Sequence, residues 1–473
     1  MANRMGYTVI GATLVLAQAC TDSDDTKAPS TYSFVHDETG QSSVSYDGQV
    51  MRHMLIADLT AHIGGLTARI DSEEFFPESG DLLEELNFYY EFDSSSSGDV
   101  AIALSTEPQL LQEVYNDVST DKDLKGKIAG NDPEGQHKDF SAGFVGWQVE
   151  GVTSPDSLIQ HWFNQLEEMA VDRAQGDIGQ DPQDEPLQAV FVNEQGVDLQ
   201  QLIQKFLGVA VAFSQGTDDY LDDDVAGSGL NADNAELEDG RSYTALEHAW
   251  DEAFGYFGAA RDYGDYTDAE LAASDGRESH RQGYFDSNGD ARIDLLSEYN
   301  AGHSTNAAKR DLGSKSGTDL TQDVFDAFLQ GRQIIAESNG PLSATDRENL
   351  VAARDSAVLT WEKAIAATVV HYINEVLIDM AAFGTDEYDF YAHAKHWSEL
   401  KGFALGFQFN PRSPVDDESF AQLHQLIGQA PVLPNQEGVA EYQEALREAR
   451  SLVMQAYDFN PAEEGDADGQ GGW

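Results

Sequence analysis

Apolar residues recur at three- and four-residue intervals along most of the chain, the spacing of one face of an α-helix, and strand-like alternation is rare. Met51, Leu55, Leu59, Leu66 and Ile70 trace one such face, although Gly64-Gly65 weakens its later turns. Ser154-Pro155 supplies an N-cap and a first-turn proline ahead of Leu158, Ile159, Trp162, Phe163, Leu166 and Met169. Asp198 can cap a helix from Leu199 through Phe213, with Leu202, Ile203, Phe206, Leu207, Val209 and Val211 as its apolar positions. Thr345-Asp-Arg-Glu348 has capping-box spacing. The helix after it runs to about Met380 and is apolar nearly all round, the pattern of a buried central helix. Val100-Ala-Ile-Ala-Leu104 fits either a strand or helical turns, and no short-period repeat stands out. The pattern predicts an all-α fold over residues 46–460: a multi-helix bundle, built as one large domain or as two bundles in series.

Outside that region the pattern changes. Arg4 precedes an uncharged apolar run from Tyr7 to Ala17, and the small residues Ala17 and Ala19 lead into Cys20. This positive, apolar, small-residue order is that of a secretory signal, and the run is too short to span a bilayer. Leu16-Ala-Gln-Ala-Cys20 resembles a bacterial lipobox, with Ala17 where leucine is usual. Residues 1–19 are therefore expected to be a lipoprotein signal peptide, removed so that Cys20 carries the lipid. Several acyl chains on one cysteine, at about 0.8 kcal/mol per buried methylene, anchor a protein firmly. Thr21 rather than aspartate after the cysteine favours the outer over the inner membrane. Residues 20–45, rich in Asp, Ser and Thr, read as a flexible tether, and the acidic, glycine-rich residues 461–473 as a disordered tail. With a single cysteine no disulfide can form within the chain.

Charge narrows the partners. The 85 acidic and 27 basic residues give a formal net charge of −58. Nucleic-acid binding needs a basic face, and none is visible; anionic lipid is also repelled beyond the anchor. Such acidity is either a solvation property suited to a saline habitat or, in particular loops, a means of binding cations.

One loop has the second character. In Asp286-Ser-Asn288-Gly-Asp290-Ala-Arg292-Ile293-Asp294 the oxygen ligands fall at positions one, three, five and nine, with the Arg292 carbonyl at seven. Ile293 stands where such loops anchor to the core, and the alternation suits a single hard cation, calcium. Two departures separate it from an EF-hand. Ala291 replaces the sixth-position glycine, and the candidate bidentate carboxylate, Glu298, comes one residue late.

Three helical segments pair histidine with carboxylate: His248 with Asp251, His371 with Glu375, and His396 with Glu399. Residues three or four apart share a helix face, so each pair could ligate iron or another transition metal, or simply hydrogen-bond within the core. Glycines among the aromatic residues after His248 and His396 would let these helices approach, which predicts that the three pairs meet. No catalytic signature accompanies them: His-Glu-x-x-His, Gly-x-Ser-x-Gly, a phosphate-binding glycine loop and a Rossmann fingerprint are all missing.

The longest motifs carry a family resemblance. The stretches Glu247–Gly258, Tyr284–Asp290, Ser297–Asn300, Asn306–Asp311 and His396–Pro411 resemble the bacterial lipoproteins that carry domain of unknown function 4856, over about residues 45–460. The resemblance implies an all-helical cell-envelope protein found with imelysin-like proteins and outer-membrane receptors tied to iron acquisition; it supplies no reaction. His396-Trp-Ser-Glu399 and His248-Ala-Trp-Asp251 also echo half of the imelysin-like Gly-x-His-x-x-Glu motif, with Ala394 and Leu246 at the glycine position. The expected function is thus a lipid-anchored binding protein, accessory to iron or other metal acquisition, with a structural calcium loop. The alternatives are a metal-dependent hydrolase and a purely structural envelope lipoprotein.

Overall fold

Most of the long helices begin at a side chain that accepts the free amides of the first turn. In the computed structural model, which describes residues 29–473 apart from 37, 133, 134 and 339, Ser154 accepts from the Ser157 amide (3.1 Å) and Asp198 from that of Gln201 (3.0 Å). The central helix starts earlier than its sequence suggests: Ser343 and Asp346 form the capping box, so Thr345 and Glu348 lie inside the first turns. Cys20 and the expected signal peptide fall outside the described residues.

The longer helices are α1 (Asp47–Asp71), α2 (Asp81–Tyr90), α3 (Pro155–Gln175), α4 (Leu199–Leu207), α5 (Ala245–Phe257), α6 (His303–Gly313), α7 (Leu320–Glu337), α8 (Ala344–Ala381), α9 (Phe390–Ala404), α10 (Asp417–Ile427) and α11 (Val439–Ala456). Among the described residues the fold is all-α, with only isolated bridges such as Ala101 to Val114 in place of strands. Helix α8 is the axis, packed against α6, α7, α9 and α11. It is long and apolar enough to cross a membrane, but most of its apolar window is buried by those neighbours, as a core helix requires.

Gly64 does not break α1. A Cβ there would stand 2.5 Å from Gln200 Nε2, which reaches in to donate to the Thr60 carbonyl (2.9 Å), so the glycine makes room for an α1–α4 bridge. Beyond Leu207 the chain widens into π-helical turns over Gly208–Phe213 and Gln215–Tyr220. That departure from the regular helix expected to Phe213 is of a kind that frequently marks functional sites.

The main buried apolar cluster runs without interruption from Tyr32 to Trp473, so the two bundles in series resolve into one helical body. Both ends join that core. Tyr32 stacks on Phe254 (3.7 Å between centroids) and donates to Asp251 (2.8 Å), which corrects the expectation of a tether extending to residue 45. The tail is ordered too. Glu463 is buried and accepts from Ser314 Oγ (2.7 Å) and from the amides of Lys315 and Ser316, while Trp473 donates to the Arg310 carbonyl (3.0 Å). Ser451 of α11 donates to Glu464 (3.1 Å) and Arg450 to the Asp466 carbonyl (2.9 Å).

Candidate functional site

The three histidine–carboxylate pairs do not share a centre. Asp251 is buried beneath Arg332, whose Nε lies 2.9 Å from it and whose Nη1 lies 2.8 Å from Glu247. Burial raises the Asp251 carboxyl while the guanidinium pulls it back down. His248 turns away from Asp251: its Nδ1 meets the Ser45 carbonyl at 3.1 Å, its ring stacks on Tyr243, and Glu252 is the nearer acid at 3.7 Å. This pair is a structural network.

The other two pairs lie on the facing helices α8 and α9 but are re-partnered. His396 Nδ1 pairs with Asp379 at 2.8 Å, not with Glu399. Burial opposes protonation of His396, but the Asp379 hydrogen bond and charge outweigh it and raise the imidazole. His371 and Glu375 stand 3.9 Å apart, beyond hydrogen-bond reach, and burial beside Arg310 pushes His371 down to about 3. Glu399 faces Lys205 of α4 at 3.2 Å. Among the described residues no three His, Cys, Asp or Glu side chains are grouped to hold a metal ion. Close helix approach sent these residues to separate partners. In α9 and the turn after it, Gly402 and Gly406 would place a Cβ 2.7 Å from Lys205 Cβ and 2.8 Å from Val209 Cβ, so α9 seats directly on α4.

That seating builds a different site. Lys205 and Phe403, with segments of α1, α6 and the loops around residues 271–283 and 299–302, enclose a cavity of about 360 Å³, within the range of small-molecule sites. Its polar wall is His53, Gln204, Lys205, Gln282, Asn300, His303, Thr305, Asn306 and Lys309 with Tyr299, and among the described residues no acidic side chain lines it.

Two histidines there have fixed and opposite roles. His53 Nε2 stands 3.1 Å from both the Gly255 and Tyr256 carbonyls, so that nitrogen carries the proton and Nδ1 is left as an acceptor. His303 Nδ1 accepts from Trp361 Nε1–H (2.8 Å), which leaves the proton on Nε2. Burial holds His53 at about 4 and His303 at about 3, so both rings are neutral near pH 7. Gly302 makes the local turn possible: it sits at φ +58°, and a Cβ there would stand 2.7 Å from His53 Cε1. Lys309 is exposed at the edge of the cavity; desolvation of its ammonium and then the neighbouring Lys205 and Arg310 lower it.

The loop at Asp286–Asp294 is a separate feature. The Asp286 carboxylate accepts the amides of Gly289 (2.7 Å), Asp290 (3.1 Å) and Ala291 (2.9 Å), and Asp290 accepts that of Arg292 (2.9 Å). Ala291 takes φ +63°, the left-handed conformation that a sixth-position glycine normally supplies. Ile293 is fully buried and exchanges backbone hydrogen bonds with Gln109 (3.0 Å) and Leu111 (2.8 Å). Glu298 is buried beneath the loop: Oε1 accepts from Ser287 and Asn288, and Oε2 from the Asp294 amide (2.9 Å). Asp294 Oδ1 takes a hydrogen bond from Gln112 (2.7 Å). The expected ligands Asp286, Asp290, Asp294 and Glu298 thus turn their carboxylates to amides and side chains in and beside the loop, and among the described residues they are not grouped around a common metal position.

The model of one family, described as domain of unknown function (DUF4856), matches residues 29–422, most of the chain. The chain belongs to the DUF4856 family. No curated protein and no solved structure matches it. Three of the five DUF4856 stretches named above reach the cavity: Asn300, Asn306 and Lys309 line it, and the stretch His396–Pro411 contributes Phe403. Those stretches are the signal that could have pointed to it. His53, Lys205 and His303 had none, because each stands alone in its helix and only packing brings the three together.

Proposed function

We propose that this DUF4856 protein is a lipid-anchored binding protein of the cell envelope, which serves the acquisition of iron or another metal and holds its ligand in the cavity between α1, α4 and α6. The observation that carries the reading is a cavity of small-molecule size whose polar lining keeps hydrogen-bonding capacity that no protein group uses, above all His303 Nε2–H. The acquisition role rests on the family resemblance, and on this reading the metal arrives as a small complex. The anchor on Cys20 would hold the module at the membrane surface.

Gly208 provides the test. Its backbone is ordinary for a helix, and a Cβ there meets only His303 Nε2, at 3.7 Å, so larger side chains project into free space. Gly208→Ala is expected to stabilise the fold by about 0.5–1 kcal/mol, since glycine is the poorer helix former. Gly208→Leu is expected to keep the circular dichroism spectrum and to lose whatever small molecule copurifies with detergent-extracted wild type, as read by native mass spectrometry with elemental analysis. Equal bound content in the two proteins would defeat the reading.

The Asp286–Asp294 loop, on this proposal, holds a structural calcium ion. Millimolar calcium is then expected to raise the melting temperature of wild type by several degrees and that of Asp290→Asn far less. An equal rise in both would remove calcium from the loop.

A further inference from the structure

We infer that the cavity takes a small ligand through an oxyanion, a carboxylate or a phosphate, gripped by Lys205, Lys309 and His303 where α6 begins. The inference deepens the proposed function and rests on the cavity being the ligand site.

The first ground is charge. The chain carries 85 acidic against 27 basic residues, yet the charged side chains lining this cavity are Lys205 and Lys309. Lys205 is held from behind by Glu399 at 3.2 Å, which lies outside the lining, and Gln204 Oε1 fixes its ammonium at 2.7 Å. Lys309 makes no ion pair among the described residues, and Arg310 follows it in the same helix. Of the two ammonium groups, that of Lys309 is thus left without an ion-pair partner among the described residues. In a body whose net charge of −58 repels anions elsewhere, this is a locally cationic spot.

The second ground is direction. Helix α6 opens at Gly302, which has no side chain with which to cap it, so the positive end of an eleven-residue helix meets the cavity. His303, the first residue of that helix, is 4% exposed and aims Nε2–H at the space beside Gly208. Because Trp361 occupies Nδ1, the ring cannot flip its tautomer to become an acceptor there without losing that hydrogen bond. A ligand atom at this point must accept. Two ammonium groups, a fixed imidazole donor and a helix N-terminus present donors only, which is the complement of a carboxylate or phosphate and a poor match to a bare metal cation. The His53 Nδ1 acceptor at the other wall leaves a place for one hydroxyl or protonated oxygen on the same ligand.

The probes are citrate, inorganic phosphate, glucose and choline, titrated calorimetrically into detergent-extracted full-length protein, with melting temperature as a second readout. Citrate or phosphate is expected to bind, the comparison separating carboxylate from phosphate, while glucose and choline do not. Lys205→Gln and Lys309→Gln are each expected to weaken that binding at least tenfold, and Gly208→Leu to abolish it, all with wild-type circular dichroism. Anion binding unchanged in both lysine variants overturns the inference, as does a null result with both anions. Binding of glucose or choline instead, lost in Gly208→Leu, overturns the anion class but keeps the cavity as the ligand site. Anion binding that persists in Gly208→Leu overturns both readings.

Discussion

Arg332→Met is expected to lower the unfolding free energy by about 3–5 kcal/mol, the usual consequence of removing one partner from a buried ion pair. Arg332 is fully buried, and its guanidinium serves Asp251 (2.9 Å), Glu247 (2.8 Å) and Ser43 Oγ (2.7 Å), with the Phe34 ring 4.7 Å from its carbon. Methionine fills similar volume, so the loss measures charge and hydrogen bonds more than packing. What remains is two buried carboxylates with no cation between them. Two checks isolate that cause. Glu247→Gln with Asp251→Asn in the Arg332→Met background should recover a large part of the deficit, since the uncompensated charge is then gone. The deficit should also shrink as pH falls. Burial already raises the Asp251 carboxyl, and without Arg332 it rises further, so the folded state takes up a proton at a pH where the unfolded chain does not. Chemical denaturation at two pH values reads both effects; a loss below about 1 kcal/mol would contradict the network's structural role.

Trp473→Ala is expected to cost about 3–5 kcal/mol, the range for removing a large buried aromatic side chain. The indole packs edge-to-face on Phe459 (4.7 Å, 82°) and donates to the Arg310 carbonyl at 3.0 Å, and the backbone carbonyl of Trp473 accepts from Asn374 of α8 (3.3 Å). Without it, the acidic segment 461–473 keeps Glu463 and the Arg450 contact to the Asp466 carbonyl (2.9 Å), but loses its apolar anchor. Limited proteolysis is then expected to cut within 461–473 faster than in wild type. Unchanged stability together with wild-type protease resistance would mean that the tail is held by its polar contacts alone.

The helical character of this protein was legible because α-helices write their periodicity and their caps locally. Ser154-Pro155, Asp198 and the apolar run of α8 mark real helices, and the DUF4856 stretches were recognisable from residues 247 to 411. The tail was misjudged for a physical reason. Composition reports how much apolar surface a segment could bury, and one tryptophan among glycines and acids looks insufficient. It suffices here because a cleft between α6, α8 and α11 receives it. The tether was shortened likewise by Tyr32 and Phe34, which find Phe254 and Arg332 across more than 200 residues of sequence.

The histidine pairs show where local spacing stops being informative. An i, i+3 or i, i+4 relation fixes which face two side chains share, but not which one turns toward the other. Asp379 outcompeted Glu399 for His396, Arg332 claimed Asp251, and Glu399 went to Lys205. By itself, then, the sequence determined a helical chain with many of its caps, its central helix and the acidic excess. Only the tertiary structure decided that the ends are part of the core, that the three histidine pairs are separate, and that His53, Lys205, His303 and Lys309 wall one cavity. Periodicity is a property of neighbours along the chain, whereas a cavity with that charge exists only after helices from distant parts of it have packed.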